Sequence, residues 1–362
     1  MNGHPTQTRR TFLKTSAAAG AAAVAGCATQ IPEDKVTFTE ADGGPRSLDA
    51  AKATTVDRVA ADPTDVPAPI DRDEPGTVEV ELTTREVTAE IEPGVTFEYM
   101  TFDGRIPGPM IRARVGDTVD LTVTNAEGNS MAHNVDLHAV RGPGGGAEAT
   151  TVAPGESTRV RFKVTYPGAF IYHCAVANLD YHISSGMFGM ILVEPEAGLP
   201  EVDHEFYLGQ HELYTDGETG QEGHHTFDMG AMAREDPTYV LINGEKYAIT
   251  PDNYADMVAE TGDRARVYYC VGGPNLPSSF HPIGSVWDEV YPQGAVDTPP
   301  HRHVQTTPVM PGSTAITTMH FPVPGPIKLV DHALSRVARK GALAVVDVQG
   351  EEDHEIFDPD PE

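Results

Sequence analysis

The chain has 362 residues, which is enough for two domains of ordinary size, each with its own hydrophobic core. Its 54 acidic and 25 basic residues give a net charge of -29, which repels nucleic acid and anionic membranes and argues against both as partners. Only seven of the basic residues are lysine, which favours adaptation to high salt, where screening removes the self-repulsion of an acidic surface.

The N-terminus carries the pattern of a targeting segment. TRRTFLK (8–14) places a twin arginine before two apolar residues, and an alanine-rich stretch follows. This pattern indicates a twin-arginine export signal over residues 1–30, which therefore take no part in the fold. VAGC (24–27) resembles a lipobox with Cys27 as the lipidated residue, and a plain cleavage site is the alternative. No other apolar stretch approaches the length of a membrane span.

The next segment, 31–75, is rich in Ala, Asp, Pro and Thr and shows little periodicity. This composition predicts a flexible acidic spacer between the N-terminal anchor and a globular body.

The body is predicted to consist of strands. Apolar and polar residues alternate with a period of two at 78–82, 119–123 and 160–164, the pattern of half-buried antiparallel strands. Two later runs, FGMILVEP (188–195) and GALAVVDV (341–348), are more continuously apolar, as fully buried strands are. Many short strands between turn residues predict an all-β fold of sandwich type.

Turn signals repeat in the two halves of the body. Each half has a Gly-Asp pair followed by two Pro-Gly pairs that stand thirteen residues apart. This matched spacing indicates one Greek-key sandwich made twice. The predicted divisions are a first domain at 76–196, a linker at 197–235, a second domain at 236–350 and an acidic tail at 351–362.

The stretch IYHCAVANLDYHISSGM (171–187) concentrates metal-ligand residue types. Neighbouring side chains of a strand point to opposite faces, so His173 and Cys174 are predicted to serve two different metal sites. In MAHNVDLH (131–138) the same parity places Asp136 and His138 on one face and His133 on the other.

The first predicted ligand set consists of His133, Cys174, His182 and Met187. Two imidazoles, a thiolate and a methionine are the ligand pattern of a blue electron-transfer copper. Zinc is the main rival for such ligands, although structural zinc sites usually contain more cysteines. Core packing is the alternative role for Met187.

The second set contains His138 and His173, with Asp136 beside them, and it lacks a third histidine within the first domain. His332, in LVDHAL, occupies nearly the position in the second repeat that His173 and Cys174 hold in the first. It is therefore the candidate for the third ligand.

These motifs, together with SSFHPIG (278–284), resemble the copper-containing nitrite reductases, the nitric-oxide-forming kind built from two cupredoxin domains. The resemblance covers about 76–350. It implies a type 1 copper and a type 2 copper in each subunit of a homotrimer. The implied type 1 ligands are His133, Cys174, His182 and Met187. The implied type 2 ligands are His138, His173 and His332, the last from a neighbouring subunit.

The resemblance also implies the reaction. Nitrite, one electron and two protons give nitric oxide and water, a step of denitrification. Asp136 and His281 match the pair that handles protons, and Ile283 matches the apolar residue that lines the nitrite pocket. The alternative role for Asp136 is that of a turn carboxylate, and the alternative for His281 is that of an ordinary loop histidine. A small cupredoxin or a cytochrome c is the implied electron donor.

Other histidines and cysteines fall outside these sets. We predict solvated side chains for the pair His301 and His303 and for the linker histidines, which are His204, His211, His224 and His225. His320 is predicted to be structural. Cys270 is predicted to be a buried packing residue, with a bridge to Cys174 as the alternative.

Two other functions compete with nitrite reduction. A two-domain multicopper oxidase needs about four His-x-His pairs and a cysteine flanked by histidine on both sides, whereas Ala175 follows Cys174 here. A membrane-tethered blue-copper electron carrier needs only the first ligand set and leaves His138 and His332 unexplained.

Overall fold

The structure is a computed structural model that describes residues 47–251, 253–254 and 257–361. The predicted export signal, Cys27 and the part of the spacer at 31–46 lie outside the described residues. Among the helices of the described part, none is long and apolar enough to cross a membrane.

Within the described residues, twenty strands form four sheets and confirm the all-β prediction. The first ten strands are β1 (Thr77–Glu92), β2 (Val95–Phe102), β3 (Ile111–Arg114), β4 (Thr118–Asn125), β5 (Asp136–Leu137), β6 (Ser157–Lys163), β7 (Gly168–His173), β8 (Phe188–Glu194), β9 (His204–Leu213) and β10 (Gly223–His224). The others are β11 (Tyr239–Ile242), β12 (Met257–Glu260), β13 (Arg264–Gly273), β14 (Ser278–Ile283), β15 (Trp287–Pro292), β16 (His301–Val304), β17 (Thr307–Val309), β18 (Ser313–His320), β19 (Gly325–Asp331) and β20 (Leu343–Gln349). The short helices are α1 (Ala147–Thr150), α2 (Leu179–Ser184), α3 (Met229–Ala233) and α4 (Leu334–Lys340), and a 3-10 turn covers Pro143–Gly146.

The first sandwich contains a five-stranded sheet in the order β10-β2-β1-β4-β6 and a four-stranded sheet in the order β3-β8-β7-β5. The alternating residues Val119, Leu121 and Val123 of β4 are fully buried and pack with apolar residues of β8. All of β8 is buried, as its continuous apolar run predicts. Burial on alternate positions fixes the register of each strand, because a slip of one residue would expose the apolar face.

The second sandwich contains a six-stranded sheet in the order β11-β9-β13-β18-β15-β16 and a five-stranded sheet in the order β12-β20-β19-β14-β17. In its core Phe280 stacks between Tyr269, with ring centroids 3.7 Å apart, and Trp287, at 4.9 Å. These aromatic side chains are fully buried.

The two sandwiches share a core and a buried ion network. One apolar cluster includes Tyr99 and Phe188 of the first sandwich and Tyr268 of the second. Beside it Arg112 donates to Glu194, at 2.6 Å, and to Glu205, at 2.6 Å. Glu205 also accepts a hydrogen bond of 2.7 Å from Arg266. The network joins strands of both sandwiches and satisfies each buried charge.

The linker prediction at 197–235 needs correction. Strand β9 lies in this stretch and pairs with both β11 and β13 of the second sandwich, while β10 pairs with β2 of the first. Three of the four histidines are buried rather than solvated, and they are His211, His224 and His225. Burial lowers the pKa of His211 to about 4, which keeps its ring neutral.

The predicted flexible spacer is also wrong for its described part, 47–75, which packs on the body. Val59 and Ala60 are buried, and their backbone N–H groups donate to the carboxylate of Glu245, at 2.8 and 3.1 Å. Arg58 donates to the other oxygen of the same carboxylate, at 2.8 Å. Glu245 is thus one of several anchors of the segment, together with the backbone hydrogen bonds between Ala61 and Ile106 and between Thr55 and Thr88.

Replacing Glu245 with alanine should weaken the attachment of this segment, because two buried N–H groups lose their acceptor. We expect Glu245→Ala to lower the free energy of unfolding by about 3 kcal/mol, measured by urea denaturation, and to make 47–75 sensitive to limited proteolysis. Glu81→Ala, at an exposed position, is the matched control and should change stability by less than about 0.5 kcal/mol. Equal stability of the two variants would contradict the assigned role.

Candidate metal centres

Two groups of potential metal ligands lie on either side of the peptide bond between His173 and Cys174. Strand β7 ends at His173, which lies opposite Asp136 in the antiparallel pair with β5. The backbone N–H of Cys174 donates to Met187, at 3.1 Å, so the chain stays in register beyond the strand end. In the described part of the chain the ligand atoms of each group lie within 4.8 Å of one another. One group is His133, Cys174 and His182, and the other is Asp136, His138 and His173.

The first group has the geometry of a three-coordinate thiolate–imidazole site. Cys174 Sγ lies 3.9 Å from His133 Nδ1 and 3.6 Å from His182 Nδ1. An ion about 2.3 Å from sulfur and about 2.0 Å from nitrogen separates these donors by about 3.6–3.8 Å. All three side chains are fully buried. Soft sulfur with two imidazoles suits copper, so the residues present fit a blue copper.

Local structure holds these ligands in place. His182 lies on α2, and the chain then turns at Gly186, whose φ of +117° favours glycine. A Cβ at this position would overlap the side chain of Ile106. The turn brings Met187 back, and its backbone N–H donates to the carbonyl of His182, at 3.0 Å. Met187 is fully buried, and its backbone bonds tie it to His182 and Cys174.

Burial shifts the pKa values of two ligand residues of the first group in opposite directions. Burial and the neighbouring His133 lower the pKa of His182 to about 4, so its ring is neutral and able to ligate near neutral pH. Burial raises the pKa of the Cys174 thiol, so its thiolate form depends on a bound cation. The Nε2 atom of His182 is buried without a hydrogen-bond partner.

In the second group the two imidazole rings approach each other through their Nε2 atoms. His138 Nε2 and His173 Nε2 are 3.1 Å apart, the spacing expected for two ligands each about 2.0 Å from one ion. The Nδ1–H of His173 donates to the carbonyl of Cys174, at 3.0 Å, which leaves the Nε2 lone pair free to ligate. Desolvation and the neighbouring His173 lower the pKa of His138, so this pair also fits a metal ion.

Asp136 lies beside the two imidazoles under a glycine turn. Gly145, in the 3-10 turn, has a φ of +58°, and a Cβ there would overlap the Asp136 carboxylate. The turn can therefore close over this carboxylate only with glycine at this position.

His332 and His281 form a separate pair on the second sandwich. Their rings are 5.0 Å apart, and they join neither ligand group of the described chain. His281 Nδ1–H donates to the carbonyl of Gln305, at 2.6 Å, so its Nε2 is the free nitrogen. His332 is exposed, and Ile283, two residues along β14 from His281, is 39% exposed. All three side chains are open to a second molecule.

Sequence reasoning missed the residues that support these side chains. Asn134 Oδ1 accepts from the N–H of Ala175, at 2.7 Å, and from Cys174 Sγ–H, at 3.7 Å. Asp331 occupies the position in the second repeat that Cys174 holds in the first. Its buried carboxylate accepts from the backbone of Ser279, at 3.0 Å, and from Arg336, at 2.7 Å, and so fixes the turn that carries His332. The matched spacing of the repeats was the signal for Asp331.

The remaining residues named from the sequence join neither ligand group of the described chain. His301 and His303 are exposed, on the edge strand β16 rather than in a loop. His320 contacts Asp288, at 3.0 Å, at the surface. Cys270 is buried against Tyr207, as predicted, and both cysteines of the described residues are free, so the alternative bridge is absent there.

Comparisons with known proteins identify relatives of this chain. A family model described as multicopper oxidase matches residues 83–198, and one for the twin-arginine signal sequence matches 6–26. A copper-containing nitrite reductase of Neisseria meningitidis serogroup B is 46% identical, over 83% of this chain and 76% of that protein. The solved copper nitrite reductase from Nitrosomonas europaea has a TM-score of 0.67 and 33% identity, over 77% of this chain and 96% of that one. A multicopper oxidase structure has a TM-score of 0.63 at 26% identity, over 75% of this chain and 89% of that one.

The fold and the two ligand groups define a copper oxidoreductase built from cupredoxin-like sandwiches. Its relatives narrow this class further. The chain belongs to the family of copper-containing nitrite reductases. The twin-arginine match also supports export by that route.

The turn that carries His332 should depend on Asp331. We expect Asp331→Ala to lower the free energy of unfolding by about 3 kcal/mol, since it removes the buried carboxylate that accepts from Arg336 and from the backbone N–H of Ser279. Arg339→Ala, an exposed position on the same helix α4, is the matched control and should be near wild type. Thermal unfolding of both variants tests this, and an unchanged Asp331→Ala would show that other contacts hold the turn.

Proposed function

We propose that this chain reduces nitrite to nitric oxide at a type 2 copper that receives electrons from a type 1 copper in the same subunit. The observation that carries the proposal is the placement of two separate ligand groups on either side of one peptide bond. A covalent link between two metal sites offers a short path for the single electron that this reduction uses. The family of the chain supports the same reaction.

The type 1 ligands in this proposal are His133, Cys174, His182 and Met187. The type 2 ligands are His138 and His173 of one subunit and His332 of a neighbouring subunit in a homotrimer. Their support is the convergence of His138 and His173 at 3.1 Å and the exposure of His332 on the other sandwich. Each subunit then contains one copper of each type.

When bound, copper would supply the redox change and, at the second site, a Lewis acid for nitrite. The protein supplies two protons and positions the substrate. Asp136 lies with His138 and His173 and can deliver a proton to the departing oxygen. His281, with Nδ1–H bound to Gln305, can accept and return a proton at Nε2. Ile283 supplies apolar surface that limits the pocket.

The proposal divides the body into a first domain at 76–196 and a second at 236–350, with β9 added to the second because it pairs with β13.

The exported protein is lipidated at Cys27 and tethered to the outer face of the cytoplasmic membrane. Its electron donor is a small cupredoxin or a cytochrome c, and its acidic surface suits high salt.

The two rival functions explain less of the structure. An electron carrier gives no role to the His138–His173 pair or to the exposed His332. A multicopper oxidase needs several His-x-His pairs, whereas His301 and His303 are exposed far along the chain from either group.

Electron paramagnetic resonance of the copper-loaded protein tests the function. We expect a type 1 and a type 2 signal, with only the type 2 signal changed by nitrite. Asp136→Asn should retain both coppers and lose about 10²–10³-fold in nitric oxide formation, because proton delivery is impaired. A single blue signal that nitrite leaves unchanged would favour the electron carrier.

Complementation tests the shared site. Neither His138→Ala nor His332→Ala should bind type 2 copper alone, whereas co-expression should restore about one site per mixed trimer. Copper content and the type 2 signal measure the recovery. Ligands drawn from one chain only would give no recovery on mixing, which would contradict the intersubunit site.

A further inference from the structure

Glu86, on β1, contacts the ring of His133 on the side away from Cys174. Its Oε1 accepts a hydrogen bond of 3.2 Å from His133 Nε2–H, while His133 Nδ1 faces Cys174 Sγ. A carboxylate can only accept, so this contact places the ring hydrogen on Nε2 and the lone pair on Nδ1. The imidazole is thereby held in the tautomer that a metal needs.

The Glu86 carboxylate is itself held by the loop that precedes His133. Ser130 donates to Oε2 from its hydroxyl, at 2.6 Å, and from its backbone N–H, at 2.9 Å. Met131 N–H donates to Oε1, at 2.9 Å. These hydrogen bonds from Ser130 and Met131 fix both carboxylate oxygens of Glu86 beside the ring of His133.

The negative charge of Glu86 is close to the ligand and is not neutralised by a cation. Within the described residues its only ion-pair partner is His133, and its side chain is 20% exposed. It lies at the wall of a cleft of about 360 Å³, which is also lined by Glu98, Met131 and Tyr181. A fixed anion one imidazole away from a metal favours the more highly charged oxidation state.

We propose that Glu86 is a positioning residue for the type 1 copper, which orients His133 and lowers the reduction potential of the site. This inference rests on the proposed role of His133 as a copper ligand. Glu86 touches neither substrate nor metal, and it acts through the imidazole.

The test compares the reduction potential and the visible spectrum of the copper-loaded protein in four variants. Glu86→Gln retains an acceptor oxygen for His133 and loses the charge, so it should raise the potential and leave the blue absorption in place. A tenfold loss of Cu(II) affinity relative to Cu(I) corresponds to about 59 mV. Glu86→Ala also loses the acceptor and should reduce copper affinity about 10–100-fold.

Two controls separate this role from a structural one. Glu98→Gln removes the other carboxylate of the cleft, which pairs with Lys52 instead of a ligand, and should leave the potential unchanged. Ser130→Ala removes the hydroxyl contact to Glu86 but not the His133 contact. It should lower the melting temperature without a shift in potential.

Some outcomes would overturn the proposal. One is a reduction potential of Glu86→Gln that equals the wild-type value. The other is a shift in potential in Ser130→Ala or Glu98→Gln as large as the shift in Glu86→Gln. If Glu86→Ala does not fold, Glu86→Gln still decides. The readouts of this test are the reduction potential and the visible absorption. A protein that has a normal blue copper but forms no nitric oxide would therefore contradict the proposed reaction and not the proposed role of Glu86.

Discussion

Adjacent residues of an extended strand present their side chains to opposite faces, and His173 and Cys174 use this alternation at the end of β7. Both ligand groups depend on it, because a slip of one residue in the β5-β7-β8 register would exchange the imidazole and the thiol. The apolar burial of β8 and the backbone bond from Cys174 to Met187 prevent that slip. The packing of the sandwich therefore sets which side chain faces which metal.

Buried or half-buried carboxylates hold the functional loops, in a chain whose surface is already strongly acidic. Glu86, Glu245 and Asp331 each accept hydrogen bonds from backbone N–H groups of segments distant in sequence. A carboxylate offers several acceptor positions, so one residue can fix a turn that has no strand partner. These acids orient a proposed ligand, secure the segment at 47–75 and support the turn before His332.

Local sequence was sufficient for the strands and for the separation of His173 and Cys174 into two groups, because period-two alternation acts over a few residues. It failed where the deciding contact is distant. The segment at 47–75 has the composition of a spacer, yet contacts with distant residues such as Glu245 and Ile106 hold it on the body. Strand β9 lies in a stretch rich in Gly, Glu and His, and it becomes a strand because β11 and β13 flank it. His332 joins neither ligand group of the described chain and lies beside His281 instead.

The ion network of Arg112, Glu194, Glu205 and Arg266 has a consequence for ionic strength. Two positive and two negative side chains, with exposures of 2% for Arg112 and Glu194, lie between the sandwiches, where dissolved ions screen them little. Surface pairs such as Lys52–Glu98 weaken as salt rises, and so does the mutual repulsion of a chain with a net charge of -29. Concentrated salt therefore weakens the repulsion between surface charges but not the buried ion network. The contact between the two sandwiches is thereby kept at high salt.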